Sequence, residues 1–180
     1  HQRMNAALAV YTARALRARF PIDDAAIGEG LSTTRWPGRF EVVARSPLTI
    51  VDAAHNPAAV VSLRAALEMA RIPRPRVLVF GVMADKDWRG MLEVLVPSFD
   101  CVVLVPVGNR RALDPMEARF ALHGAQSCDV EHSAASGVER ARELANGTGT
   151  VVVTGSIFLV AEVYRQCGGR GSPFETTAST

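Results

Sequence analysis

Leu48-Thr49-Ile50-Val51-Asp52-Ala53-Ala54-His55-Asn56-Pro57 is the stretch on which the fold turns. Leu48–Asp52 is short, apolar and β-branched, as a strand is. Asn56 stands where a helix N-cap belongs, and Pro57 falls at the first helical position, where a missing N–H costs nothing. The predicted helix runs from Pro57 to Ile72. A strand thus ends in a polar turn and feeds directly into a helix.

The same grammar continues downstream. Val77–Val82 is an unbroken β-branched and aliphatic run, the mark of a strand covered on both faces. Trp88–Leu95 reads as a helix and Cys101–Val105 as another buried strand. Asp114–His123 is a helix opening on an Asp cap, Cys128–Val130 a short strand and Ala134–Ala145 a helix. Thr150–Thr154 is a last buried strand and Ser156–Gln166 a last helix. Upstream, Phe40–Ala44 is an extended segment joined to Leu48–Asp52 by Arg45-Ser46-Pro47. Strands alternating with helices imply an α/β fold: a Rossmann-like, mostly parallel sheet with helices on both faces.

Before Trp36 the texture differs. Apolar Met4, Ala7, Leu8, Tyr11, Ala15 and Leu16 recur at helical spacing, predicting a helix over His1–Phe20 that Pro21 ends. A short helix follows from Ile22-Asp23-Asp24 to about Leu31, and Ser32–Gly38 is a loop and candidate hinge. The expected organisation is a helical segment over 1–35, an α/β domain over 36–167, and a disordered Gly/Ser/Thr-rich tail over 168–180.

Composition narrows the function. The chain has 180 residues, 48% hydrophobic and 21% charged, with a formal net charge of +2. Its cations are scattered, so no nucleic-acid or membrane surface is expected. Cys101, Cys128 and Cys167 are odd in number and widely spaced, which argues against a disulfide framework or zinc site. With no signal peptide and no membrane span expected, the chain reads as cytoplasmic.

Four clusters could carry chemistry. Asp52-Ala53-Ala54-His55-Asn56-Pro57 lies where a strand meets a helix N-terminus, the usual ligand position in open α/β sheets. There Asp52 could hold a ribose hydroxyl or metal-bound water and His55 a phosphoryl oxygen, or the residues could simply start a helix. In Trp36-Pro37-Gly38-Arg39-Phe40-Glu41, Arg39 could grip phosphate with two parallel bonds or pair with Glu41. In Asp85-Lys86-Asp87, Lys86 could bind a carboxylate or be a neutralised surface charge. In Thr154-Gly155-Ser156, Ser156 caps the last helix and can also meet a carboxylate. All but the Arg39 cluster end strands, so they converge on one sheet edge. There is no GxxxxGK[ST] loop and no GxGxxG, so most of a triphosphate grip would have to come from elsewhere.

These motifs, in this order and at these intervals, resemble the carboxy-terminal domain of folylpolyglutamate synthase/dihydrofolate synthase, of the Mur ligase superfamily. His1-Gln2…Asn5-Ala6-Ala7 resembles the helix that closes that family's central ATPase domain. The likeness runs from residue 1 to about residue 166.

It implies an ATP-dependent ligase that phosphorylates a pteroate or folate carboxylate and lets the amine of L-glutamate displace phosphate. It also implies residue roles: Asn5 near adenine, Arg39 at the phosphates, Asp52 at the ribose, and His55 near the transferring phosphoryl group. Lys86 and Ser156 would hold glutamate carboxylates. His55 and Arg39 are then the catalytic candidates. The phosphate loop, the Mg2+ ligands and most of the folate pocket are expected before residue 1, so the chain alone is expected to be inactive and its own ATPase domain is the expected partner. The competing readings are another Mur-type ligase, of muramyl-peptide or cyanophycin type, and a noncatalytic Rossmann-like binding module.

Overall fold

A computed structural model describes residues 2–122 and 127–167. The tail over 168–180, expected to be disordered, lies outside the described residues, as does His123 at the end of a predicted helix. The chain divides into two compact units, His1–Pro37 and Gly38–Thr180.

The first unit holds α1 (Gln2–Ala15), a 3-10 turn over Leu16–Ala18, and α2 (Asp24–Thr33). Asp23 caps α2, its carboxylate accepting from Ala26 N at 2.7 Å. Helix α2 runs two residues past the end expected at Leu31. At its end the hydroxyls of Ser32 and Thr33 donate back to Glu29 O and that of Thr34 to Gly30 O, while the Arg35 guanidinium donates to Ser32 O, a carbonyl of the last turn, at 3.2 Å.

The second unit runs β1 (Glu41–Arg45), β2 (Leu48–Val51), α3 (Pro57–Ala70), β3 (Arg76–Phe80), α4 (Trp88–Leu95), β4 (Cys101–Leu104) and α5 (Pro115–Ala121). It continues with β5 (Ser127–Val130), α6 (Ala134–Leu144), β6 (Thr150–Thr154) and α7 (Ile157–Cys167). The sheet order is β1-β2-β6-β3-β4-β5. Every neighbouring pair is parallel except β1 with β2. This is the mostly parallel sheet expected from the sequence.

The period-2 pleat splits the strand residues between two cores. Leu78, Phe80 and Val152 pack with Leu63 and Leu67 of α3 and Met91 and Leu95 of α4. Val77, Val79, Val151 and Val153 pack with Ala141 of α6 and Leu159 and Val163 of α7. Helices therefore cover both faces, which is why these strands read as continuous apolar runs. Each such side chain, fully buried, contributes roughly 1.5–3 kcal/mol of transfer free energy.

Two features place the site. Strand β6, last in the chain, inserts between β2 and β3, bringing three strand-ending turns side by side. Strand β1 is antiparallel, and Glu41 pairs with Val51. The residues just before β1 therefore reach the edge at which β2 ends, so the Arg39 cluster joins that edge from the opposite chain direction.

Candidate functional site

The turns after β2, β6 and β3 are zipped together by backbone bonds. Gly155 N donates to Ala54 O at 3.1 Å, and Gly81 N to Thr154 O at 3.4 Å. Gly155 has φ +114, and a Cβ there would stand 2.6 Å from Gly81 O. Only glycine fits this crossing.

A cavity of about 260 Å³ opens over these turns, lined by His55, Asp85, Lys86, Arg111, Ser156 and Phe158 among others. Three predicted site residues thus share one cavity: His55, Lys86 and Ser156. Asp85 and Lys86 are half-exposed, with Lys86 Nζ 3.9 Å from Asp85 Oδ2. The two acids flanking Lys86 have separate tasks. Asp87 caps α4 by accepting from Gly90 N at 3.0 Å, leaving Asp85 to face the cavity.

Arg111 is the residue that sequence reasoning missed. Its guanidinium lies 3.6 Å from Asp85 Oδ2. It sits in the loop after β4, which is tied to neighbouring segments. Ala84 N donates to Arg111 O at 2.8 Å, and Gly108 N donates to Glu162 Oε1 of α7 at 2.5 Å. The available signal was position, since the loop follows another parallel strand and so ends on the same edge.

Ser156 is buried, and its Oγ accepts from Phe158 N at 3.1 Å, the capping role expected of it. The positive end of the α7 dipole therefore meets the cavity wall. His55 Nδ1 lies 2.9 Å from Ala53 O. A carbonyl only accepts, so Nδ1 carries the proton and Nε2 is the nitrogen left for a ligand or second proton.

Arg39 and Asp52 occupy the adjoining turn. Asp52 is buried, with Oδ2 accepting from Phe40 N at 2.8 Å and Oδ1 from Ala54 N at 2.9 Å. Burial pushes its carboxyl above the usual value, against the lowering pull of those two N–H groups and of Arg39. Asp52 thereby ties the Arg39 turn to the end of β2. The alternative pairing of Arg39 with Glu41 is not formed; Glu41 Oε2 accepts from Gly38 N instead. Asn5 belongs to the first unit, exposed on α1 beside a shallow groove lined by Leu8, Thr12 and Leu16.

Among the described residues, no group of three or more His, Cys, Asp or Glu side chains is placed to hold a metal ion. Cys101 and Cys128 are free and half-buried. No helix of the described residues is long and apolar enough to cross a membrane. A larger cavity of about 670 Å³ lies away from the strand ends, between α4 and α5, and contains none of the predicted site residues.

The chain belongs to the Mur ligase family, in its glutamate ligase domain: that family's profile matches residues 38–157. It is similar to the folylpolyglutamate synthase of Lacticaseibacillus casei, 33% identical over 167 residues, covering 91% of this chain and 37% of that protein. Among solved structures it is similar to Escherichia coli FolC in complex with ADP, without folate substrate (TM-score 0.83, 30% identity, 92% of this chain and 39% of that one). It is also similar to a bifunctional folylpolyglutamate synthase/dihydrofolate synthase with Mn, AMPPNP and L-glutamate bound (TM-score 0.72, 30% identity, 83% and 36%). The chain thus spans well under half the length of the relatives it matches.

Proposed function

We propose that this chain forms the glutamate-binding part of an ATP-dependent ligase, one that joins L-glutamate to dihydropteroate or a folate polyglutamate through an acyl phosphate. One observation carries the reading. Two cations, Lys86 and Arg111, and one anion, Asp85, surround a single cavity. Glutamate has the converse set, two carboxylates and one ammonium. Support also comes from the similar bifunctional folylpolyglutamate synthase/dihydrofolate synthase solved with L-glutamate bound.

In the proposed reaction, the acceptor carboxylate takes the γ-phosphoryl group of ATP. The glutamate amine, having lost a proton, attacks the acyl carbon, and the tetrahedral intermediate expels phosphate as the amide forms. No protein nucleophile is required; the work is positioning and charge neutralisation. Lys86, Arg111 and the Ser156 hydroxyl hold the glutamate carboxylates. Arg39 meets the nucleotide phosphates. Asp52, which has lone pairs left after accepting two N–H bonds, receives a ribose hydroxyl, and Asn5 lies toward adenine. His55, through Nε2, faces the transferring phosphoryl group. Mg2+ would be held by residues outside this chain, on the ATPase domain that completes the cytoplasmic enzyme.

The test uses the full-length ligase carrying this chain and follows ADP release. Release that requires both glutamate and a pterin acid, and is abolished by Arg39→Ala or His55→Ala, supports the proposal. Release that answers to another amino acid and acceptor moves the protein to the muramyl-peptide or cyanophycin branch. No release with any pairing favours a noncatalytic binding module.

A further inference from the structure

Arg39 sits in the turn Gly38-Arg39-Phe40, and both of its flanking residues have left-handed backbone, φ +70 and +49. For phenylalanine that conformation costs roughly 1–2 kcal/mol, so the turn must be held from outside. Ala53 N donates to Gly38 O at 2.8 Å, and Phe40 N to Asp52 at 2.8 Å. These bonds fix the inner side of the turn.

The outer side is held by two residues with no role assigned so far. Gly38 N points at Glu41 Oε2 and at the Tyr164 hydroxyl, 2.8 Å from each. The Tyr164 hydroxyl donates to that same Glu41 oxygen, across a sequence separation of 123 residues. Val160, one turn earlier on α7, closes the space where a Gly38 side chain would stand, 3.1 Å from an ideal Cβ. Burial, then the bond to Glu41 and its charge, push the Tyr164 hydroxyl above its usual pKa, so it keeps its proton and stays a donor.

Resting on the nucleotide role of Arg39 given above, we propose that Glu41 and Tyr164 are positioning residues that aim Arg39 at the nucleotide phosphates. Among the described residues, the Arg39 guanidinium makes no ion pair that would fix it. Its reach therefore depends on where the backbone launches it, and the Gly38 N–H clamp fixes the outer side of that backbone. Helix α7 supplies that clamp through Tyr164 while its N-terminal Ser156 lines the amino-acid cavity.

The experiment uses the full-length ligase and measures AMPPNP binding by calorimetry, together with KM for ATP and for glutamate. Tyr164→Phe should raise the AMPPNP dissociation constant and KM for ATP roughly three- to tenfold, with KM for glutamate unchanged. Glu41→Ala should do the same, whereas Glu41→Gln, which keeps an acceptor oxygen, should stay near the parent. Glu41→Ala also serves if Tyr164→Phe fails to fold. Added to Arg39→Ala, Tyr164→Phe should cause no further loss. Full loss on that background, or none when Arg39 is present, overturns the proposal while leaving Arg39's own role intact. If Arg39→Ala alone leaves AMPPNP affinity unchanged, the nucleotide reading of Arg39 falls and the proposal with it.

Discussion

Met83 and Ala112 pair in an isolated antiparallel bridge that joins the loops following β3 and β4. Ala84 N bonds Arg111 O on one side of it, and Leu113 N bonds Val82 O on the other, at 2.8 and 2.9 Å. The bridge turns two separate loops into one wall and sets Arg111 against Asp85 beside Lys86. Arg111→Ala in the full-length ligase should raise KM for glutamate about tenfold, the value of one charge-assisted hydrogen bond at a partly exposed site. KM for ATP should hold. Steady-state kinetics check this, and an unchanged glutamate KM would reduce Arg111 to a loop support.

Gly155→Ala should destabilise the fold by about 3 kcal/mol or more, combining positive-φ strain with a clash. The new methyl would meet Gly81 O at 2.6 Å and the Phe80 ring at 2.9 Å, neither of which can retreat. Gly147→Ala is the control. It also has positive φ, +70, but nothing within 4 Å, so about 1 kcal/mol of backbone strain is expected alone. Urea midpoints with unchanged m-values separate the two.

Asn56→Ala removes the acceptor for Ala59 N, a 2.9 Å bond at the start of α3. About 1 kcal/mol should be lost, the usual cost of an uncapped helix. Asp87→Ala should cost a similar amount by freeing Gly90 N of α4. If Asp87→Ala instead changed glutamate affinity without a fall in Tm, its assignment as a cap would be wrong.

Strand and helix order was legible because burial on both faces leaves apolar runs such as Val151-Val152-Val153, and because caps such as Asn56-Pro57 are local chemistry. The insertion of β6 between β2 and β3 has no local signature; it arises when distant segments pair. Arg111 was hidden for the same reason, since its loop has no periodicity and its neighbours are Met83 and Asp85, far back in the chain. Glu41 read as a partner for Arg39 because the two are close in sequence. The folded chain offers Glu41 the Gly38 N–H and the Tyr164 hydroxyl instead.

Asp52 makes the stability of the fold depend on pH in a direction opposite to that of a salt-bridged carboxylate. Its folded pKa lies above the ordinary 3.8, with burial as the leading cause. Proton uptake then favours the folded state. The contribution is fully present below 3.8 and is lost as pH rises through the raised folded value. Asp52→Asn removes this titration and also places an amide NH2 against one of the two N–H donors, Phe40 or Ala54. The parent should therefore be more stable than Asp52→Asn, by a margin largest near pH 3 that shrinks with rising pH and then levels off. Arg39→Ala, by removing a charge that lowers the Asp52 pKa, should carry that decline to higher pH. Urea denaturation of the parent and variants from pH 3 to neutrality measures the margin. A margin that grew with pH would mean the two backbone N–H groups outweigh burial at Asp52.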